Sequence, residues 1–252
     1  MKQHTSKNTG RIHSCQGFYN FIFLLVFSTF SASVQAQVNP GVYFAKQEQS
    51  GDSIIHELKI TGAYMVHSVY ELNPPKFIKT LGGPFSLEDG VIEWDLDFNS
   101  NHANDGIEKR AIPFRLREGN LNFEGELPLS FQKVKSKEQA LDGAWLFATR
   151  GPDEGQERRG PSNPRKTLKI LQDGYFQWIA FNSRTFEFFG TGGGTYRAKD
   201  GKYMEMIRYF SRDPERVGAR LDFNYELKGK DWHHTGLNSR GEPLYEIWAK
   251  WE

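Results

Sequence analysis

The chain has 252 residues, 38% hydrophobic and 14% aromatic, with 32 basic against 31 acidic side chains and one cysteine. A near-neutral chain without a basic block excludes a charge-driven nucleic-acid or anionic-membrane surface, and a single cysteine excludes a disulfide framework. Helical periodicity is scarce and period-two alternation common, so the expected class is all-β.

Residues 1–36 read as a secretory signal peptide. Lys2, Lys7 and Arg11 form a basic start, Phe21 to Phe30 an apolar stretch, and Val34-Gln35-Ala36 a small-residue cleavage site. The apolar stretch is well short of the ~20 residues that span a bilayer. Removal at Ala36 takes three basic residues, leaving 29 against 31 acidic, a net charge of −2, and takes Cys15, the only cysteine. The mature chain is expected to be exported, to periplasm, cell surface or medium, with no membrane span, nucleic-acid partner, cofactor or metal.

The mature chain repeats itself. Leu58-Lys59-Ile60, Tyr64-Met65, Gly82-Gly83 and Asp89-Gly90 recur as Leu168-Lys169-Ile170, Tyr175-Phe176, Gly193-Gly194 and Asp200-Gly201, at offsets of 110 or 111 residues. Gly62 and Gly119 find partners in Gly174 and Gly229 at 112 and 110. A period this long means duplicated domains, not a solenoid. The units are 38–135 and 140–252, joined by a charged linker around Lys133 to Ala140.

Eight strands are predicted in the second unit, near 142–149, 166–172, 174–181, 185–197, 202–210, 219–228, 231–235 and 243–251. Asp173-Gly174, Asp200-Gly201 and Lys228-Gly229 are hairpin signals, because these residues tolerate the positive φ of tight turns. Leu221, Phe223, Tyr225 and Leu227 alternate with Asp222, Asn224 and Glu226. Gly192-Gly193-Gly194 lacks the helix and lysine of a phosphate loop and reads as a bend or bulge. Consecutive hairpins favour an eight-stranded up-and-down β-barrel over a sandwich, since closure removes exposed edges. The first unit repeats the scheme with fewer aromatics. The connection between the first two strands is longer in the second unit, where Arg150 to Arg165 is either a lid or a solvated loop.

Gly143-Ala144-Trp145 resembles the Gly-x-Trp opening of lipocalin-like (calycin) barrels. With Asp173-Gly174-Tyr175-Phe176, Gly193-Gly194-Thr195-Tyr196, Trp232-His233-His234-Thr235-Gly236 and Glu246-Ile247-Trp248, nearly the whole second unit is similar to functionally uncharacterised lipocalin-like domains of secreted bacterial proteins. The resemblance implies tandem barrels, a tryptophan packed at the closed end under a late basic residue (Lys250, or Arg240), and a tendency to bind small apolar ligands. In the first unit Tyr43 replaces the tryptophan, with Lys133 as the basic residue.

The candidate ligand-binding residues are Phe176, Trp178, Glu205, Tyr209, Trp232, His233, Glu246 and Trp248, all in the second unit. Large aromatic side chains either fill a small barrel or wall a flat pocket. Glu205 and Glu246 interrupt apolar strands, and a carboxylate on an inward face needs a partner. Adjacent His233 and His234 point to opposite strand faces, so they do not share an ion inside a barrel. The primary expectation is a secreted binding protein for a small apolar or amphipathic molecule. Two alternatives stand: an acid–base enzyme using Glu205, His233 and Glu246, or filled barrels that recognise glycan or protein through exposed aromatics such as Trp251. No nucleophile elbow is present.

Overall fold

The computed structural model describes residues 38–251 apart from 50, 126, 127 and 239. The predicted signal peptide lies outside the described residues. The first unit contains β1 (Gly41–Gln49), β2 (Asp52–Thr61), β3 (Tyr64–Leu72), β4 (Pro75–Glu88), β5 (Val91–Asp95), β6 (Phe98–Asn99), a short helix (His102–Asp105), β7 (Lys109–Arg117), β8 (Asn120–Phe123) and β9 (Leu129–Lys133). Antiparallel pairing runs β1-β2-β3-β4-β5-β7-β8-β9 and returns to β1, closing eight strands into a barrel, with β6 a continuation of β5 that pairs with β4.

The second unit closes in strict chain order: β10 (Gly143–Arg150), β11 (Arg165–Gln172), β12 (Tyr175–Asn182), β13 (Phe188–Lys199), β14 (Lys202–Phe210), β15 (Arg220–Lys228), β16 (Asp231–Leu237) and β17 (Pro243–Trp251). The chain is thus all-β, two tandem eight-stranded barrels. Its hairpins turn where predicted; Asp173 and Gly174, and again Asp200 and Gly201, have positive φ. Among the described residues no helix is long and apolar enough to cross a membrane.

Strand pairing corrects one detail of the repeat. Gly41 pairs with Ile60 and Gly143 with Leu171; Ile60 in turn pairs with Met65 and Leu171 with Phe176. Ile60 therefore corresponds to Leu171 at an offset of 111, and the two Leu-Lys-Ile triplets are one residue out of phase. A slip of one residue exchanges the two faces of a strand. Leu58 and Ile60 belong to the first barrel's core, whereas Leu168 and Ile170 lie on the outside of the second, packed with Tyr64, Val66 and Phe98 of the first.

The barrel walls meet through β3, β4 and β6 on one side and β11 to β14 on the other. Tyr70 stacks on Tyr209 at 4.4 Å between ring centroids, and Phe98 meets Phe181 at 4.8 Å. At the 111-residue offset Tyr70 corresponds to Phe181 and Phe98 to Tyr209, so the two contacts interchange and the interface has local two-fold symmetry. At its centre the Gln177 amide accepts from Ser68 Oγ (3.0 Å) and donates to Thr80 and Thr191 (both 3.1 Å). The Asp173 carboxylate accepts from Val42 N, Ser136 Oγ and Lys137 N, which ties the linker to both barrels.

The plug at each barrel's base follows the expectation. Lys250 Nζ lies 4.4 Å from the Trp145 ring centroid and donates to Asp142 O, while Trp145 Nε1 donates to Leu141 O. Lys133 takes the same place over Tyr43 at 5.8 Å. Gly143 and Gly41 both have positive φ, which glycine adopts without strain, and a β-carbon on either would also crowd the tip of the lysine side chain.

Candidate functional site

The first barrel's core is built by Leu58, Ile60, Met65, Trp94, Phe123, Phe131 and their neighbours, and His67, Trp94, Ile112, Phe123 and Leu129 line a cavity of about 300 Å³ beside it. The second is packed at the closed end by Trp145, Phe176, Tyr196, Tyr203 and Trp232. Towards the other end it opens into a cavity of about 290 Å³. Trp178, Phe210, Leu221, Phe223, Leu244 and Trp248 wall it, and Lys169, Glu205, His234 and Glu246 carry its polar groups. Filling and hollowing, alternatives on sequence grounds, thus divide one barrel between its two ends.

Strand periodicity explains the lining. Phe176 and Trp178 share the inward face of β12, with Gln177, Ile179 and Phe181 turned towards the first barrel. Trp232 pairs with Trp248 and His234 with Glu246 across β16 and β17, so all four face inward. Lys169 on β11 reaches Glu205 on β14, Nζ to Oε1 3.0 Å, with both side chains almost fully buried. Tyr203 OH donates to the same oxygen at 2.6 Å. The Lys169 ammonium sits in an aromatic box, 4.9 Å from Trp248, 5.1 Å from Trp232 and 5.4 Å from Tyr203.

His234 is the least satisfied group. It is 2% exposed, and neither ring nitrogen has a hydrogen-bond partner among the described residues. Its Nδ1 stands 3.5 Å from Glu246 Oε2, at the outer limit of hydrogen-bond distance. Burial pushes its pKa below the ordinary histidine value, which the nearby Lys169 reinforces and Glu246 opposes. Burial alone would raise the Glu246 pKa, but His234, Lys169 and the Trp248 indole together outweigh it and hold the carboxyl below its usual range. Trp248 Nε1 donates to Glu246 Oε2 at 3.2 Å.

Of the eight predicted residues, Trp178, Glu205, Glu246 and Trp248 line the cavity. Phe176 and Trp232 lie beneath it in the closed-end core. Tyr209 is on the other wall face, against Tyr70. The reason is a bulge: Gly193 pairs with Tyr209 and Gly194 with Ile207, so Arg208 is an extra residue and the alternation carrying Glu205 inward reverses before Tyr209. Gly194 is glycine because a β-carbon there would strike Met206 O and crowd Arg208 N. His233 faces outward and bonds Tyr245 OH at 2.8 Å, leaving His234 as the inward histidine. Trp251 does not stand free as an exposed aromatic; its ring packs on Tyr64 at 4.8 Å. The sequence reading missed Lys169, although its place opposite Trp178 follows from hairpin register about Asp173-Gly174.

The long connection is exposed over residues 152–162, as a solvated loop is, and is tied to the barrel wall at several points. β10 pairs with β11 only as far as Leu146 and Leu168, and the wall parts beyond. Residues 151–164 are stitched along this split. Arg159 N donates to Ala148 O, its guanidinium lies 5.3 Å over Phe147, and Arg158 bridges Asp153 and Asp231. A depression lined by Glu157, Arg159 and Thr149 shares Thr167, Glu246 and Trp248 with the interior cavity.

The sequence matches no protein-family model and no curated protein.

Proposed function

We propose that this is an exported, calycin-like binding protein whose second barrel holds a small, mainly apolar molecule. The observation that carries the reading is His234: a fully enclosed polar side chain without a partner, on the wall of an aromatic cavity. Leaving such a group unpaired costs about 1–3 kcal/mol, which a ligand hydrogen bond would recover. At about 290 Å³ the cavity falls at the low end of the ~300–1,000 Å³ range for small-molecule sites, so it suits a compact ligand. Desolvation supplies about 2.5 kcal/mol per 100 Å² of apolar surface buried. The first barrel is the partner wall that holds β11 to β14.

The acid–base alternative has less support. Glu205 is held by both Lys169 and Tyr203, and His233 lies outside the barrel. Native mass spectrometry of the protein purified from its own cells without detergent tests binding. A small-molecule mass increment is expected, absent from an Ala219→Trp variant that fills the cavity. Bare protein mass in the native material would refute the reading.

A further inference from the structure

The cavity's two carboxylates are not held alike. Lys169 stands against two carboxylates and is committed to Glu205 at 3.0 Å, a pair that Tyr203 completes from the same side. Arg216 lies at the rim, 3.8 Å from Asp213. Glu246 is in direct contact with the Trp248 indole at 3.2 Å and with His234 at 3.5 Å, and Lys169 acts on it from further away. Among the described residues Glu246 is thus the cavity carboxylate without a lysine or arginine at salt-bridge distance, and a largely buried carboxylate is stabilised by a charged partner.

We propose that the cavity takes a small organic cation, an ammonium on a compact apolar body, with Glu246 as counter-ion and His234 as a hydrogen-bond acceptor. This rests on the ligand-binding reading and names its chemical class. Three features converge on it. Glu246 and the unpartnered His234 are cross-strand partners, so a single donor-rich group can reach both. An ammonium has donors for both and no acceptor to repel. The aromatic lining is the second feature: Trp178, Phe210 and Trp248 border the cavity, and aromatic rings attract cations. The third is internal precedent, since the barrel already houses the Lys169 ammonium 4.9 Å from Trp248. A carboxylate ligand would meet Glu246 as a like charge, and a neutral alcohol would bring it no cation in contact.

Isothermal titration of the mature protein against matched probes decides the matter: 2-phenylethylamine, 2-phenylethanol and 3-phenylpropanoate, with hexylamine, hexanol and hexanoate as the aliphatic set. The amines should bind on the order of tenfold or more tighter than their alcohols, with no measurable binding of the carboxylates. Glu246→Gln, checked for an unchanged circular dichroism spectrum, should remove the amine preference while leaving alcohol binding within about twofold. Alcohols or carboxylates binding as tightly as amines to the wild type would overturn the cation assignment and leave the binding reading standing. Binding by none of the six probes would overturn both.

Discussion

Lys59 and Lys169 occupy matching places in a repeated Leu-Lys-Ile triplet, yet stand on opposite faces of their barrel walls. Lys59 points outward into the interface, paired with Glu57 and 5.9 Å from the Tyr209 ring of the second barrel; Lys169 points into the cavity. The structural offset is 111 residues and the triplet offset 110, and one residue of phase inverts a strand's faces. The same three letters thus place one lysine in an interface and the other in a candidate binding site.

The Glu57–Lys59 pair is enclosed on both sides, each residue 1% exposed. Removing one member strands the other's charge, so Lys59→Met should cost about 3–5 kcal/mol in urea unfolding. The double change Glu57→Leu, Lys59→Met should recover most of that loss. It leaves Tyr70 OH without its 2.9 Å acceptor, and adding Tyr70→Phe should recover the rest. Equal destabilisation by the single and triple variants would show that the pair's charge is not what matters.

The bulge opposite Gly194 recurs in the first barrel opposite Gly83, where a β-carbon would strike Asp95 O as it would strike Met206 O at Gly194. Both close approaches are to backbone, which cannot swing aside. Gly83→Ala and Gly194→Ala should each destabilise at or above the upper end of the ~1–3 kcal/mol for overpacking. Gly90→Ala makes a useful comparison, because its β-carbon meets nothing and it bears only the strain of positive φ. A thermal melt in which all three variants behave alike would dismiss the bulge as the constraint.

These positions also mark how far the sequence could be read. The hairpins at Asp173-Gly174 and Asp200-Gly201 and the alternation through Phe223 are local signals, and they placed the second barrel's strands closely. The lysine over Trp145 was legible from the Gly-x-Trp motif and the late position of Lys250. Face assignments were harder, because they depend on strands far away in sequence. Glu205 and Tyr209 are four residues apart and share a face in any regular strand; only the paired glycines of β13 reveal the extra residue between them. His233 and His234 are equivalent by composition, and the choice between them rests on Trp232, whose inward direction is fixed by pairing with Trp248.

Gln177 makes three buried side-chain hydrogen bonds, two of them, to Ser68 and Thr80, across to the first barrel. Gln177→Leu should cost about 1–3 kcal/mol, since Ser68, Thr80 and Thr191 each lose a partner out of reach of solvent. The interface has a buried apolar cluster of its own, drawn from both barrels, so the barrels should unfold together in wild type and variant alike. Tryptophan fluorescence reports mostly on the second barrel, because Trp94 is the first unit's only tryptophan, whereas far-ultraviolet circular dichroism reports on both. The two probes should give coincident transitions, and separated midpoints would mean that the barrels are thermodynamically independent.

Acid should weaken the first barrel through its inner histidines. His56 Nδ1 lies 3.0 Å from His67 Nε2, and His56 Nε2 lies 3.0 Å from Gln47 Oε1. Burial, with help from Lys79, pushes the His56 pKa down to about 4. His67 is pushed in the same direction by burial, then by His56, Lys79 and Arg110. Between its ordinary value of 6.5 and about 4 the unfolded chain binds a proton at His56 that the folded chain refuses. Stability therefore rises with pH across this window and is lost on acidification. Allowing for partial solvent access, the His56 contribution should be on the order of 1–2 kcal/mol. Urea midpoints at about pH 7 and pH 5, above the ordinary carboxylate range, isolate the effect. His56→Gln should flatten the change between them, and an unaltered slope in that variant would assign the acid sensitivity elsewhere.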